Sequence, residues 1–170
     1  MKSKIKSFFK EVLLGVIALV IIANVISYFR KPHLDSTLLP KIEVTLIDGK
    51  KFTPQTNKPL MLHFWATWCP TCRTEAQNIQ SVSQKYEVLS VVVKSGNNKE
   101  LINYMQKNSL NFRVLNDENG KWARQFKIKA FPTTFIYNKK HHLEFSEVGY
   151  TTTLGLLGRM RLLSITSPNP

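Results

Sequence analysis

"HFWATWCPTCRTE", residues 63–75, holds Cys69 and Cys72, and these are both of the cysteines in a chain of 170 residues. Only Pro70 and Thr71 separate them. A closed structural zinc site needs four ligands, and the sequence has no second Cys-x-x-Cys and no His-x-x-x-His to complete one. A purely structural disulfide is a poor use of this spacing, because so small a ring removes little entropy from the unfolded chain. The flanking residues favour reactivity instead. "KPLMLHFWA" (58–66) is a continuous apolar run that suits a strand buried on both faces. "CPTCRTEAQNIQSVSQKY" (69–86) has the length and polarity of a surface helix, with Pro70 tolerated in its first turn. Cys69 therefore sits at a helix N-terminus, where unpaired N–H groups and the positive end of the dipole stabilise a thiolate.

Thiol–disulfide exchange is the chemistry of such a pair. The Cys69 thiolate attacks a disulfide, a mixed disulfide forms, and Cys72 attacks back to release the product. Cys72 lies one turn further in and is expected to be less exposed, which suits the resolving role. Pro70 and Thr71 alter the exposure and hydrogen bonding of the thiolate. Trp68 borders the site, whereas Trp65 belongs to the strand and the core.

A second element points the same way. "FPTTFI" (131–136) places Pro132 just before a strand, 60 residues after Cys72. A proline there removes a backbone donor and leaves the Phe131 carbonyl to pair with an incoming peptide. A cis Phe131–Pro132 bond would bring that backbone beside the cysteines.

Working outward, "IEVTLIDGKKF" (42–52) alternates and turns at Asp48-Gly49, a hairpin signal. "EVLSVVVKSG" (87–96) reads as a second buried strand. In "NNKELINYMQKNSL" (97–110), Leu101, Tyr104 and Met105 fall at helical spacing. "NFRVLND" (111–117) reads as a short strand and "ENGKWARQFKI" (118–128) as a short helix. Residues 131–150 read as a hairpin turning at Asn138 to His141. "TTTLGLLGRMRLLSI" (151–165) reads as a helix with Thr151 to Thr153 as caps, although its two glycines weaken it. Strands alternating with helices and a closing hairpin give an α/β domain with a central mixed sheet flanked by helices.

The start of the chain differs from the rest. Val12 to Phe29, "VLLGVIALVIIANVISYF", carries no charge over 18 residues. As a helix it spans about 27 Å, close to the ~30 Å hydrocarbon core of a bilayer. A cleaved signal peptide would have a shorter apolar region and a small-x-small cleavage site, but bulky residues crowd "ANVISYFRKPH". Lys2, Lys4, Lys6 and Lys10 precede the run, and only Arg30 and Lys31 come after it. The positive-inside bias then keeps residues 1–11 in the cytoplasm and exports the chain beyond residue 31. The expected organisation is a basic N-terminus (1–11), a single transmembrane anchor (12–29), a linker (30–40), a domain (41–165) and a tail (166–170). An exported domain meets an oxidising compartment in which a cysteine pair can cycle.

Net charge is +13, from 24 basic and 11 acidic residues, and +8 of it falls after residue 31. No basic cluster is interleaved with aromatics, so nucleic acid is not the expected partner. A solvated basic surface beside an anionic membrane accounts for the surplus.

On "FWATWCPTCRTE", "FPTTFI", "VVVKSGNNKELINYM" and "EFSEVGYTTTLGLLGRMR" the chain resembles the thioredoxin-fold, membrane-anchored TlpA-like disulfide oxidoreductases. Within them it is most similar to the suppressor-of-copper-sensitivity type D branch, over about residues 40–163. The resemblance implies a thioredoxin-like fold, a redox-active Cys69–Cys72 disulfide and substrate contact by Trp68, Pro70, Thr71, Phe131 and Pro132. It also implies an inner-membrane protein whose catalytic domain is periplasmic. No cofactor or metal is implied. The partners expected are exported thiol or disulfide proteins, a membrane redox donor or acceptor, and the lipid bilayer through residues 12–29. One departure stands out. Thioredoxin carries a buried carboxylate six residues before the first cysteine, for proton transfer, and this sequence has His63 there. His63 is either a satisfied strand histidine or a proton-transfer group for the resolving step.

The leading functional expectation is reduction or isomerisation of disulfides in exported proteins. Its rivals are a disulfide-forming oxidant and a copper(I)-binding protein that uses Cys69, Cys72 and a histidine. His141 and His142 fall in the "NKKHHL" turn and read as solvated.

Overall fold

A computed structural model describes residues 10–19, 21, 22, 32, 34 and 36–166. The chain divides into two compact units, residues 1–31 and 32–170. In the first, residues 10–19, 21 and 22 are helical. The large apolar side chains described between Val12 and Ile22 are exposed, at 45–68%. Among the described residues no helix is long and apolar enough to cross a membrane. Residues 20 and 23–29 of the expected anchor lie outside the described residues.

In the second unit a five-stranded sheet runs in the order β5-β4-β3-β6-β7. Its strands are β3 (Leu60–Trp65), β4 (Glu87–Val93), β5 (Val114–Asp117), β6 (Thr133–Tyr137) and β7 (Leu143–Val148). β3 pairs in parallel with β4 and antiparallel with β6, so the central strand joins a parallel half to the closing hairpin. A separate two-stranded hairpin, β1 (Val44–Thr45) with β2 (Lys51–Phe52), precedes them. It turns at Asp48-Gly49, where Gly49 takes a φ of +81° that residues with a Cβ rarely adopt.

The helices are α1 (Pro70–Ser83), α2 (Asn98–Lys107), α3 (Lys121–Gln125) and α4 (Thr153–Thr166). Every residue of β3, β4 and β6 is buried, the polar His63, Glu87, Ser90, Thr133 and Thr134 included. Alternate residues serve opposite faces. Met61 and Trp65 pack with Ile79 of α1, Leu101 of α2 and Leu156 and Met160 of α4. Leu60, Leu62 and Phe64 pack with Phe52, Phe126 and Phe135 on the other face. Such fully buried aromatic or aliphatic side chains each contribute about 1.5–3 kcal/mol.

Two local expectations are refined. The linker residues 37–39 are not free, because Leu39 N–H donates to His141 O at 2.9 Å and Leu143 N–H to Thr37 O at 2.7 Å. They lengthen the outer edge of the sheet beside β7, since Leu38 bridges His142. α4 runs unbroken through Gly155 and Gly158, held by burial of Leu156, Met160 and Leu163. Packing outweighs a glycine penalty of about 1 kcal/mol each. Thr152 caps the helix, its Oγ1 accepting the Gly155 N–H at 3.2 Å.

Candidate active site

β3 delivers the chain to the cysteines, and Ala66 to Trp68 turn it into α1. Cys69 is the N-cap of α1 and Pro70 enters the first turn, where its missing N–H leaves no intrahelical bond unmade. The Cys69 Sγ accepts the Cys72 N–H at 3.2 Å, so a donor the helix cannot use itself is aimed at the sulfur. On its other side the Cys69 thiol reaches the Phe131 carbonyl at 3.7 Å. Phe131–Pro132 is a cis peptide, and Pro132 O accepts the Gly149 N–H at 2.9 Å, which ties this loop to the end of β7. The structure thus gathers Cys69, Cys72, Phe131 and Pro132 at one end of the sheet.

Both cysteines are free thiols, Cys69 5% exposed and Cys72 1%. Burial first, then the hydrogen bond with Cys69 and the nearby negative charges, hold the Cys72 thiol far above the ordinary range. Cys72 therefore needs a base before it can attack.

Glu75 stands where such a base is needed, and no motif in the sequence singles it out. It comes one helical turn after Cys72 and is fully buried. Its Oε1 accepts the Thr151 N–H at 2.7 Å, while Oε2 has no hydrogen-bond partner among the described residues. Burial pushes the Glu75 carboxyl up to about 7, partly opposed by the Thr151 hydrogen bond. A weaker signal for it does exist. Cys72, Glu75, Ala76 and Ile79 fall at i, i+3, i+4 and i+7, which puts a carboxylate on the apolar stripe of α1.

His63 faces the same group from β3, with Nε2 at 4.0 Å from Glu75 Oε2. Its Nδ1 and Thr134 Oγ1 share a hydrogen bond at 2.9 Å. Burial pushes the imidazole down to about 3. Near neutral pH His63 is uncharged, and its contact with Glu75 is not an ion pair. The titrating member of the two is Glu75.

Trp68 is 58% exposed and packs edge-on against Phe131 at a centroid distance of 5.6 Å, with Nε1 donating to Lys94 O at 3.1 Å. Pro70 and Thr71 are exposed beside it, while Trp65 is buried and donates to Ser90 Oγ at 3.1 Å. Cys69 is thus bordered by an exposed surface of Trp68, Pro70 and Thr71, and these residues do not line the clefts of about 520 and 460 Å³. Such a surface suits a macromolecular disulfide better than an enclosed small ligand. Among the described residues no three His, Cys, Asp or Glu side chains are grouped to hold a metal. His141 and His142 sit on the β6–β7 turn, at the other end of the sheet from the cysteines.

The family model described as AhpC/TSA matches residues 37–146, which include both cysteines and the Phe131–Pro132 loop. The chain belongs to the AhpC/TSA family. Among AhpC/TSA relatives, a thioredoxin-like protein of Haemophilus influenzae is 30% identical over 161 residues, covering 92% of this chain and 95% of that one. Sporulation thiol-disulfide oxidoreductase A of Bacillus subtilis is 29% identical over 114 residues, covering 62% and 69%. The crystal structure of StoA from Bacillus subtilis superposes with a TM-score of 0.64 at 23% identity, covering 74% of this chain and 98% of that one. A thiol:disulfide interchange protein of Chlorobium tepidum gives 0.68 at 21% identity, covering 78% and 99%. The last two show a shared thioredoxin-like fold. This AhpC/TSA protein is a thiol–disulfide oxidoreductase, and its Cys69–Cys72 pair fits a Cys-x-x-Cys redox centre.

Proposed function

We propose that this oxidoreductase reduces or isomerises disulfides in exported proteins, as a membrane-anchored enzyme of TlpA-like type nearest the suppressor-of-copper-sensitivity type D branch. The observation that carries the mechanism is the order Cys69, Cys72, Glu75 from the surface inward, with a hydrogen-bond donor on the first sulfur and a titrating carboxyl beside the second. The Cys69 thiolate attacks one sulfur of the substrate disulfide, whose S–S bond breaks and whose second sulfur leaves with the electron pair and takes a proton. Glu75 carboxylate then accepts the Cys72 proton. The Cys72 thiolate attacks Cys69 Sγ and the mixed disulfide breaks. The substrate sulfur that Cys69 had attacked leaves with the electron pair and takes a proton, and the Cys69–Cys72 disulfide closes. Two electrons have passed from the pair to the substrate.

Trp68, Pro70, Thr71, Phe131 and Pro132 form the surface on which the substrate lies, and the Phe131 carbonyl is placed to accept from its backbone. Residues 12–29 anchor the protein in the inner membrane with the N-terminus cytoplasmic and the domain periplasmic. A membrane redox donor restores the thiols. The reading is supported by the uncharged run and its four preceding lysines, and by the thiol-disulfide oxidoreductase among the relatives. Alkylation trapping of Cys69 and Cys72 in cells tests the direction. A mostly reduced pair fits a reductase or isomerase, and a mostly oxidised pair makes the protein a disulfide-forming oxidant.

A further inference from the structure

The sheet has two ends, and the cysteines occupy only one. β3 and β4 start at the far end, β6 arrives there, and the β6–β7 turn closes it. Residues 37–39 run antiparallel to the start of β7 and towards this end, through the hydrogen bonds of Thr37 and Leu39 with Leu143 and His141. A cleft of about 460 Å³ opens at this end, lined among others by Lys58, Lys85, Arg113, Lys139 and Ser164. Lys140 is exposed on the adjoining turn.

The acids nearby are engaged. Glu87 itself lines the cleft, where it is buried and its Oε2 accepts the Gln55 N–H at 3.0 Å. Glu144 accepts from Asn138 Nδ2 at 2.7 Å, and Asp48 pairs with Lys50 at 3.1 Å. Exposed apolar side chains stand at the same end of α4, Ile165 at 70% and Leu162 at 49%. Cations beside exposed apolar groups are the combination that holds a protein surface on an anionic bilayer.

We propose that this basic end docks on an anionic phospholipid surface, with lipid phosphates in the Lys58–Lys85–Arg113 cleft, so that Cys69 points away from the membrane. The inference rests on the anchored reading above, since that reading brings the domain to a bilayer. Charge complementarity selects the occupant. The orientation then comes from topology, because the redox pair is at the opposite ends of the same strands.

The test uses the full chain in nanodiscs of phosphatidylcholine alone or mixed with phosphatidylglycerol, with lysine acylation rates read by mass spectrometry. At low salt Lys58, Lys85 and Lys140 should acylate several-fold more slowly in the mixed lipid. Lys94 and Lys129, at the cysteine end, should react alike in both. High salt should remove the difference. Lys58→Glu with Lys85→Glu should leave exchange on a small neutral disulfide unchanged and abolish the lipid dependence at Lys140. Equal acylation in the two lipids overturns the proposal, and so does equal protection at both ends of the sheet. Co-migration with neutral nanodiscs reports the anchor separately. If the chain does not embed, acylation is measured with preformed vesicles of the same lipids, and lack of phosphatidylglycerol-dependent protection there overturns docking.

Discussion

Glu75 accepts the backbone N–H of Thr151 at 2.7 Å, across 76 positions of sequence. One buried carboxyl therefore pins the start of α4 to α1 and stands one turn from Cys72. A group used both ways should reveal itself in pH dependence of stability and of exchange.

For Glu75 the sign is set by its carboxyl value of about 7 in the fold against the ordinary 4.5. Between those values the folded state binds more protons than the unfolded, so stability falls as pH rises through the window. Glu75→Gln keeps an acceptor for Thr151 and removes the charge. It should be more stable than the parent at pH 8, by roughly 2–3 kcal/mol in urea titrations, with the difference vanishing below about pH 4.5. The same variant should resolve mixed disulfides slowly near pH 7 and lose the inflection there. A parent-like exchange profile would remove Glu75 from proton transfer.

His63 should act with the opposite sign. Its imidazole titrates near 3 in the fold against 6.5, so the unfolded state binds the extra proton and stability is lost as pH falls from 6.5 towards 3. His63→Asn, which can still bond Thr134, should resist acid better by several kcal/mol, on the order of 4 at pH 3. Its exchange rate at pH 8 should change little, as expected of a group that is neutral there. A large loss at pH 8 would mean that the imidazole itself moves the proton.

Cys72→Ser should accumulate mixed disulfides with partner proteins, because attack proceeds and resolution fails. Cys69→Ser should trap few. Non-reducing gels of alkylated extracts read both, and equal trapping would reverse or dissolve the division of labour.

Trp68 packs on Phe131 with its ring largely in solvent, so Trp68→Ala should lose about 1 kcal/mol of stability at most. The KM for a disulfide-containing protein should rise several-fold, while the rate on a small neutral disulfide stays near the parent value. An unchanged KM would place the substrate elsewhere.

The apolar run at residues 12–29 predicts retention in the membrane fraction after alkaline carbonate washing, with an intact N-terminus. A soluble protein with a trimmed N-terminus would show a signal peptide instead.

Local chemistry was enough to read the strands, because β3 and β4 are buried on both faces and are apolar at most steps, His63, Glu87 and Ser90 excepted. It was also enough to place Cys69 at a helix start, since an apolar strand followed by Cys-Pro and a polar stretch marks that junction. α4 was weaker in the sequence, as its glycines argue against a helix that only burial of Leu156 and Met160 sustains. Residues 37–39 read as linker because edge pairing to His141–Leu143 depends on a turn about a hundred residues away. Glu75 and His63 mark the same boundary. Each is one polar residue in an apolar pattern, and sequence cannot weigh burial it does not contain. Only the packing of α1 on β3 places Nε2 of one 4.0 Å from Oε2 of the other. That shared dehydrated space raises one group's proton affinity and lowers the other's, and so decides which of them titrates near neutral pH.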